Sequence, residues 1–164
     1  MVRLWPVETL PLPSPQAFSA LQLLRHAASR VASDFAGLGI VFYDTLAELP
    51  HLQLAVGGDE RFELPVVGLE PICEVFARTA RRSSTWHDGF HFVHEGTASL
   101  THLCQFIAPP LPGLADATPR ASGARHMTAL LASNVAGIAT IGLLTHERTA
   151  SIYKAGRLTL SQIL

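Results

Sequence analysis

Apolar positions recur at two different spacings along the chain. From Gln16 onward, Phe18, Leu21, Leu24, Ala28, Val31 and Phe35 follow one another every three or four residues. That spacing puts them on one face of a helix, predicted to end near Gly37 and Gly39. "GIVFY" (39–43) is a run of β-branched and aromatic residues, the composition of a buried strand. A second helix is predicted between Glu70 and Arg82, with Ile72, Val75, Phe76 and Thr79 on its apolar face and Pro71 at its first position. Glu70 and Glu74 stand near its start, and Arg78, Arg81 and Arg82 near its end, an order that complements the helix dipole. The three arginines read as a solvated helix end, with a phosphate or an acidic partner as the alternative.

Period two governs other segments. "GFHFVH" (89–94) and "SLTHLCQFIA" (99–108) both alternate, and predict an antiparallel pair turning around Glu95–Gly96. "LQLAV" (52–56) and "RFELPVV" (61–67) flank "GGDE" and predict a further hairpin, with Pro65 keeping the second arm at a sheet edge. Helical spacing returns in "ARHMTALLASN" (124–134), and "AGIATIGLLT" and "TASIYKAGRL" predict two closing strands. Residues 1–15 carry Pro6, Pro11, Pro13 and Pro15 and predict an extended N-terminal arm. The segment 109–123 predicts a long loop, of a length that often serves function. Helices alternating with strands over residues 16–164 predict a single mixed α/β domain.

Composition narrows the function classes. A chain of 164 residues with 48% hydrophobic content and a mean hydropathy of +0.28 suits one domain with a substantial core. A net charge of −1 argues against binding a nucleic-acid polymer by bulk charge. Charged residues make up only 15%, which leaves surface for an oligomer or partner interface. Only two cysteines are present, Cys73 and Cys104, so no disulfide framework is implied. The first residues lack the apolar region of a signal peptide, and no apolar run is long enough to span a bilayer. The expectation is a soluble cytoplasmic protein with reduced thiols and no membrane partner.

Three stretches carry candidate chemistry. In "STWHDGFHFVHE" (84–95), His87 and His91 are four apart, as in a helical zinc motif. The neighbouring Phe90, Phe92 and Val93 favour a strand instead, which puts His87 and His91 on one face and His94 on the other. His91 and His94 then simply flank a strand. Asp88-Gly89 is more informative. A carboxylate beside a glycine at a strand's start can hold a metal or take a proton from a hydroxyl, and glycine lets a ligand approach. The plain alternative is an ordinary turn.

In "SGARHMTALLAS" (122–133), Gly123 precedes Arg125-His126 at the head of a helix. Free amides there favour anions, and arginine adds a planar fork of donors for phosphate oxygens. The plain alternative is a solvated arginine and a packing histidine. "LLTHERTA" (143–150) adds Thr145 and Glu147 at a strand's end, a usual place for ligand residues in α/β sheets.

Taken in order, "WHDGF", "GARHMTALLAS" and "GLLTHERTASIYKAGRL" resemble the diadenylate cyclase (DAC) domain family, over roughly residues 70–158. The family's pattern has "HDGA" opening a strand, then "GTRHRAA" on a helix, then an "SEETG"-like turn between two strands. The resemblance implies an α/β domain with a twisted mixed β-sheet flanked by helices. It implies two ATP molecules held across a face-to-face dimer, each 3′-hydroxyl attacking the other's α-phosphate with Mg²⁺ or Mn²⁺ present, to give cyclic di-AMP. Asp88 would then serve the metal and the attacking hydroxyl, and Arg125 and His126 would grip phosphates. Gly89, Phe90, Gly123, Thr145 and Glu147 complete the expected nucleotide contacts.

The departures are informative. Phe90 replaces the alanine after Asp-Gly, Ala124 the threonine before Arg-His, and Met127 the second arginine. Thr145-His146-Glu147 stands in place of the acidic turn. Losing one transition-state donor costs roughly 10²–10³ in rate. The expectation is a sensor domain for a nucleotide or cyclic dinucleotide, such as cyclic di-AMP or ATP, with no cofactor. The alternatives are an active diadenylate cyclase or related nucleotidyltransferase using Mg²⁺ or Mn²⁺, and an interaction module keeping only the fold. A homodimer or higher homo-oligomer and a downstream effector domain are the expected partners.

Overall fold

Leu38–Tyr43 is buried at every position, as a strand covered on both faces must be. In the computed structural model, which describes residues 16–111, 121 and 123–164, this strand is the middle of the sheet. The elements are α1 (Ala20–Ala28), β1 (Leu38–Tyr43), β2 (His51–Gln53), β3 (Val66–Val67), α2 (Leu69–Thr79), β4 (Phe90–His94), β5 (Ser99–Ile107), α3 (Ala124–Ala132), β6 (Ile138–Leu144), β7 (Thr149–Lys154) and β8 (Arg157–Ile163). The eight-stranded sheet runs β2-β5-β4-β1-β6-β7-β8, with β3 also paired to β5. Only β1 and β4 pair in parallel among the described strands. The domain is therefore a mixed α/β sheet, as the alternation of elements predicts. The N-terminal arm and most of the 109–123 loop lie outside the described residues.

Strand alternation divides the core into two layers. Ile40 and Phe42 of β1 pack with Leu23 and Leu24 of α1 and Ile72 and Phe76 of α2. Val41 and Tyr43 point the other way, to Ala129 and Leu130 of α3 and Ile141 of β6. Two helices thus cover one face and α3 the other. Phe42 and Phe76 are almost fully buried. Truncating such a ring to alanine costs about 3–5 kcal/mol.

Four local expectations change. The first helix starts at a capping box, in which Ser19 Oγ accepts from the Gln22 N–H at 3.2 Å and Gln22 returns the bond at 2.8 Å. It stops at Ala28, not near Gly37. Ser29 Oγ donates to the His26 carbonyl at 2.8 Å, one of the local bonds by which short polar side chains compete with a helix. Phe35 still reaches the core, through a bridge to Arg81.

The hairpin expected across 52–67 does not form. β2 and β3 each pair with nine-residue β5, His51 opposite Ile107 and Val66 opposite Leu100. The outer edge of β5 offers both short arms a complete ladder, and Pro65 has no donor for a partner of its own. The second helix begins at Leu69 and ends at Thr79, which makes Pro71 its third residue, still within the first turn where N–H groups lack helical partners. Arg81 and Arg82 fall beyond it, and Arg81 pairs with Asp34 at 3.0 Å.

Finally, "TASIYKAGRL" is two strands and not one. Ala155 and Gly156 take φ of 47° and 68°, the two left-handed residues of a tight hairpin turn between β7 and β8.

Candidate functional site

Register brings the three motif stretches to one end of the sheet. Ile40 lies beside His91 in the parallel pair, and Leu38 opposite Leu144 in the antiparallel one. The start of β1, the start of β4 and the end of β6 therefore emerge together. Asp88-Gly89 and the β6–β7 turn Thr145–Arg148 sit at that edge. The head of α3 joins them through Arg125. At Gly37, with φ of 112°, a side chain would meet Arg125 Nη1 at 3.1 Å and the Leu144 carbonyl oxygen at 3.3 Å. The small residue admits the guanidinium to the sheet edge.

Gly89 is demanded by packing. Its φ is 75°, and an added Cβ would fall 2.6 Å from the Gln105 carbonyl oxygen of β5. Asp88 rides just before this constriction with its side chain 69% exposed. His87 Nε2 lies 3.7 Å from its Oδ1. His87 precedes the strand, with Nδ1 bonded to the Ser84 carbonyl at 2.6 Å, so the shared face predicted for His87 and His91 does not arise.

His91 is wholly buried. Burial above all, and the Arg125 charge second, push its pKa down to about 3. The ring is therefore neutral, and its Nδ1 accepts the Cys104 backbone N–H at 3.1 Å. Cys104 has a φ of 57°, so this bond holds a strained turn of β5. Arg125 itself is pushed down by burial, while the Asp88 carboxylate works against that. Asp88, Arg125 and His91 thus form one electrostatic group.

Phe90 turns inward. Its ring lies over Gly39, where a Cβ would stand 2.9 Å from it, and it packs in the core with Val41 and Leu143. Met127 also packs against that core. Gly123 caps α3 with φ of 86° and no side-chain bond, leaving the first amides of the helix unclaimed by a cap.

Between α3 and the β7–β8 hairpin lies a cleft of about 640 Å³, within the usual size of small-molecule sites. His126, Thr145 and Glu147 line it; Asp88, Gly89, Phe90, Gly123 and Arg125 do not. His126 Nδ1 is bonded to the Tyr153 hydroxyl at 2.6 Å. Burial raises the Tyr153 pKa, which keeps it a phenol. The bond fixes the edge of the imidazole that meets Tyr153 and leaves Nε2 as the other ring nitrogen. Thr145 Oγ1 accepts the Thr149 N–H at 3.1 Å and so shapes the turn as well as the wall.

Tyr153, Ser151, Thr149, Arg157 and Ser161 also line the cleft and were not anticipated. A signal existed for three of them. Thr149, Ser151 and Tyr153 recur at period two, a hydroxyl-bearing stripe on a strand whose other face, Ala150 and Ile152, enters the core.

Among the described residues no three His, Cys, Asp or Glu side chains converge on a metal position. Asp88 offers one exposed carboxylate, which fits the manner in which Mg²⁺ rests on one or two carboxylates and on substrate phosphates. No described helix is long and apolar enough to cross a membrane.

No known family profile and no curated protein matches the chain. Solved structures do. DacA from Staphylococcus aureus, in the form of a double mutant, aligns with a TM-score of 0.51 and 17% identity, covering 88% of this chain and 83% of that one. A hypothetical membrane spanning protein from Bacillus cereus aligns with a TM-score of 0.51 and 15% identity, covering 88% of this chain and 61% of that one. At such identities the likeness speaks for the fold, and the fold is diadenylate cyclase-like, as the ordered motifs imply.

Proposed function

We propose that the chain is a nucleotide-binding sensor domain, whose cleft beside α3 holds a nucleotide such as ATP or a cyclic dinucleotide such as cyclic di-AMP without efficient turnover. The observation that carries this reading is the cleft itself. Leu130 and Leu158 give it apolar wall for a base, Thr149, Ser151 and Ser161 give hydroxyls for a ribose, and Arg157 and His126 give donors for phosphate. The Tyr153 hydroxyl orients His126, so little freedom is lost when a ligand meets it.

Two features favour binding over turnover. Asp88 lies outside the cleft walls, and Met127 faces the core where the family pattern has a second arginine. A phosphate donor missing from a transition state costs rate far more than it costs binding. Calorimetry with ATP and with cyclic di-AMP tests the reading. Binding by the folded protein, weakened about tenfold by His126→Ala, is expected; no binding of any nucleotide by a folded sample sinks it.

A second reading is supported by the meeting of Asp88, Arg125 and the β6–β7 turn at one sheet edge. In it, two copies stand face to face and condense two ATP into cyclic di-AMP. Asp88 would hold Mg²⁺ or Mn²⁺ and receive the 3′-hydroxyl proton, and the ion would neutralise charge on the phosphates. Incubation with Mn²⁺ and each nucleoside triphosphate, followed by mass spectrometry, decides it. Product formation lost in Asp88→Asn would replace the sensor reading.

A further inference from the structure

The β6–β7 turn has two sides. Thr145 and Glu147 face the cleft beside α3, whereas His146 and Arg148 face a separate cavity of about 370 Å³ on the α1–α2 side of the sheet. That cavity is walled by the connector from Val31 to Phe35 and by Arg82. Neither Arg82 nor Arg148 has an ion pair among the described residues. The one carboxylate in the wall, Asp34, is already engaged by Arg81 at 3.0 Å and Ser83 at 2.8 Å. Two arginine charges therefore face the same space beside the His146 ring, whose Nε2 stands 3.9 Å from the Glu147 carboxylate.

The backbone is built to hold them there. Arg148 stands at φ of 63°, a conformation that costs an arginine free energy. It is pinned by its own N–H to the Thr145 carbonyl at 2.9 Å and by the Leu164 N–H to its carbonyl at 2.9 Å. Arg82 is fixed by its N–H to the Asp34 carbonyl at 2.8 Å. Strain at a charged residue that the surroundings enforce is the kind found at binding sites.

We propose that this cavity is a second anion site, in which Arg82, Arg148 and His146 grip a phosphate group. The guanidinium fork matches phosphate oxygens two at a time. The volume admits a phosphate carrying a sugar-sized body as readily as free phosphate. The site is distinct from the nucleotide cleft and does not depend on it.

Calorimetry at low ionic strength, with inorganic phosphate and with ribose 5-phosphate as separate probes, tests this on the whole chain. The variants are Arg82→Gln, Arg148→Asn, which suits the left-handed backbone, and His126→Ala, which alters only the other cleft. Binding of at least one probe is expected, weakened roughly tenfold or more by each arginine variant and unchanged in His126→Ala. Tighter ribose 5-phosphate marks the physiological ligand as a phosphate ester, and equal affinity marks it as free phosphate. No binding of either probe overturns the proposal. So does binding that survives both arginine variants together, or that falls in His126→Ala, which would put the anion in the nucleotide cleft.

Discussion

His91 makes stability depend on pH in a window that its burial defines. In the unfolded chain its pKa is about 6.5. In the folded protein burial, aided by the Arg125 charge, holds it at about 3. The folded state therefore binds this proton less readily than the unfolded state. Its contribution to stability is intact above pH 6.5, and is lost progressively as pH falls from 6.5 toward 3. At 1.36 kcal/mol per pH unit, the loss between pH 6.5 and 4.5 is about 2 kcal/mol. Urea denaturation at half-unit pH steps measures it, provided other titrating groups are subtracted. His91→Gln supplies the subtraction: its amide oxygen can still accept the Cys104 N–H, but it does not titrate. The difference in stability between the two proteins should change by about 2 kcal/mol over those two units, at slightly less than the limiting slope. Equal pH slopes for wild type and His91→Gln would refute the reasoning, because the native state would then tolerate a charged His91.

Other outcomes follow from single contacts. Gly89→Ala, forced to φ of 75° with its Cβ against the Gln105 carbonyl, should lose about 2–4 kcal/mol in urea denaturation, whatever its effect on ligands. Phe90→Ala should destabilise by about 3–5 kcal/mol and leave nucleotide affinity nearly unchanged, since its ring fills the core and not the cleft. Ser19→Ala, which removes the capping box of α1, should lower stability by about 1 kcal/mol, read as a shift in denaturation midpoint. Tyr153→Phe should weaken nucleotide binding by a few-fold in calorimetry while the fold persists, because only the bond that orients His126 is lost.

Much was legible before any coordinates. The apolar spacings located α1, α2, α3, β1, β4, β5 and β6, since which face a side chain takes is a local property of helix and strand. The order of the Asp-Gly, Arg-His and Thr-His-Glu stretches pointed to the diadenylate cyclase-like fold. The end of the first helix was misplaced near Gly37 and Gly39 because Phe35, an apolar residue at helical spacing, reaches the core by another route, a bridge to Arg81. The partners of β2 and β3 were out of reach, because alternation shows that a segment is a strand and is silent about which edge it joins.

The site divides in the same way. Residue type marked Asp88, Arg125 and His126, and their chemistry needed no structure to suggest phosphate. Only the register of β1 between β4 and β6 brought those stretches to one edge. Only side-chain packing turned Phe90 and Met127 toward the core and set His126 against Tyr153, a hydrogen bond spanning 27 residues of sequence. The cleft walls on β7 and β8, and the second cavity across the β6–β7 turn, arise where strands and helices distant in sequence close on one another. A linear pattern records what each residue prefers locally. Which preferences meet across space is decided by how the layers pack, and that free energy belongs to contacts no short stretch contains.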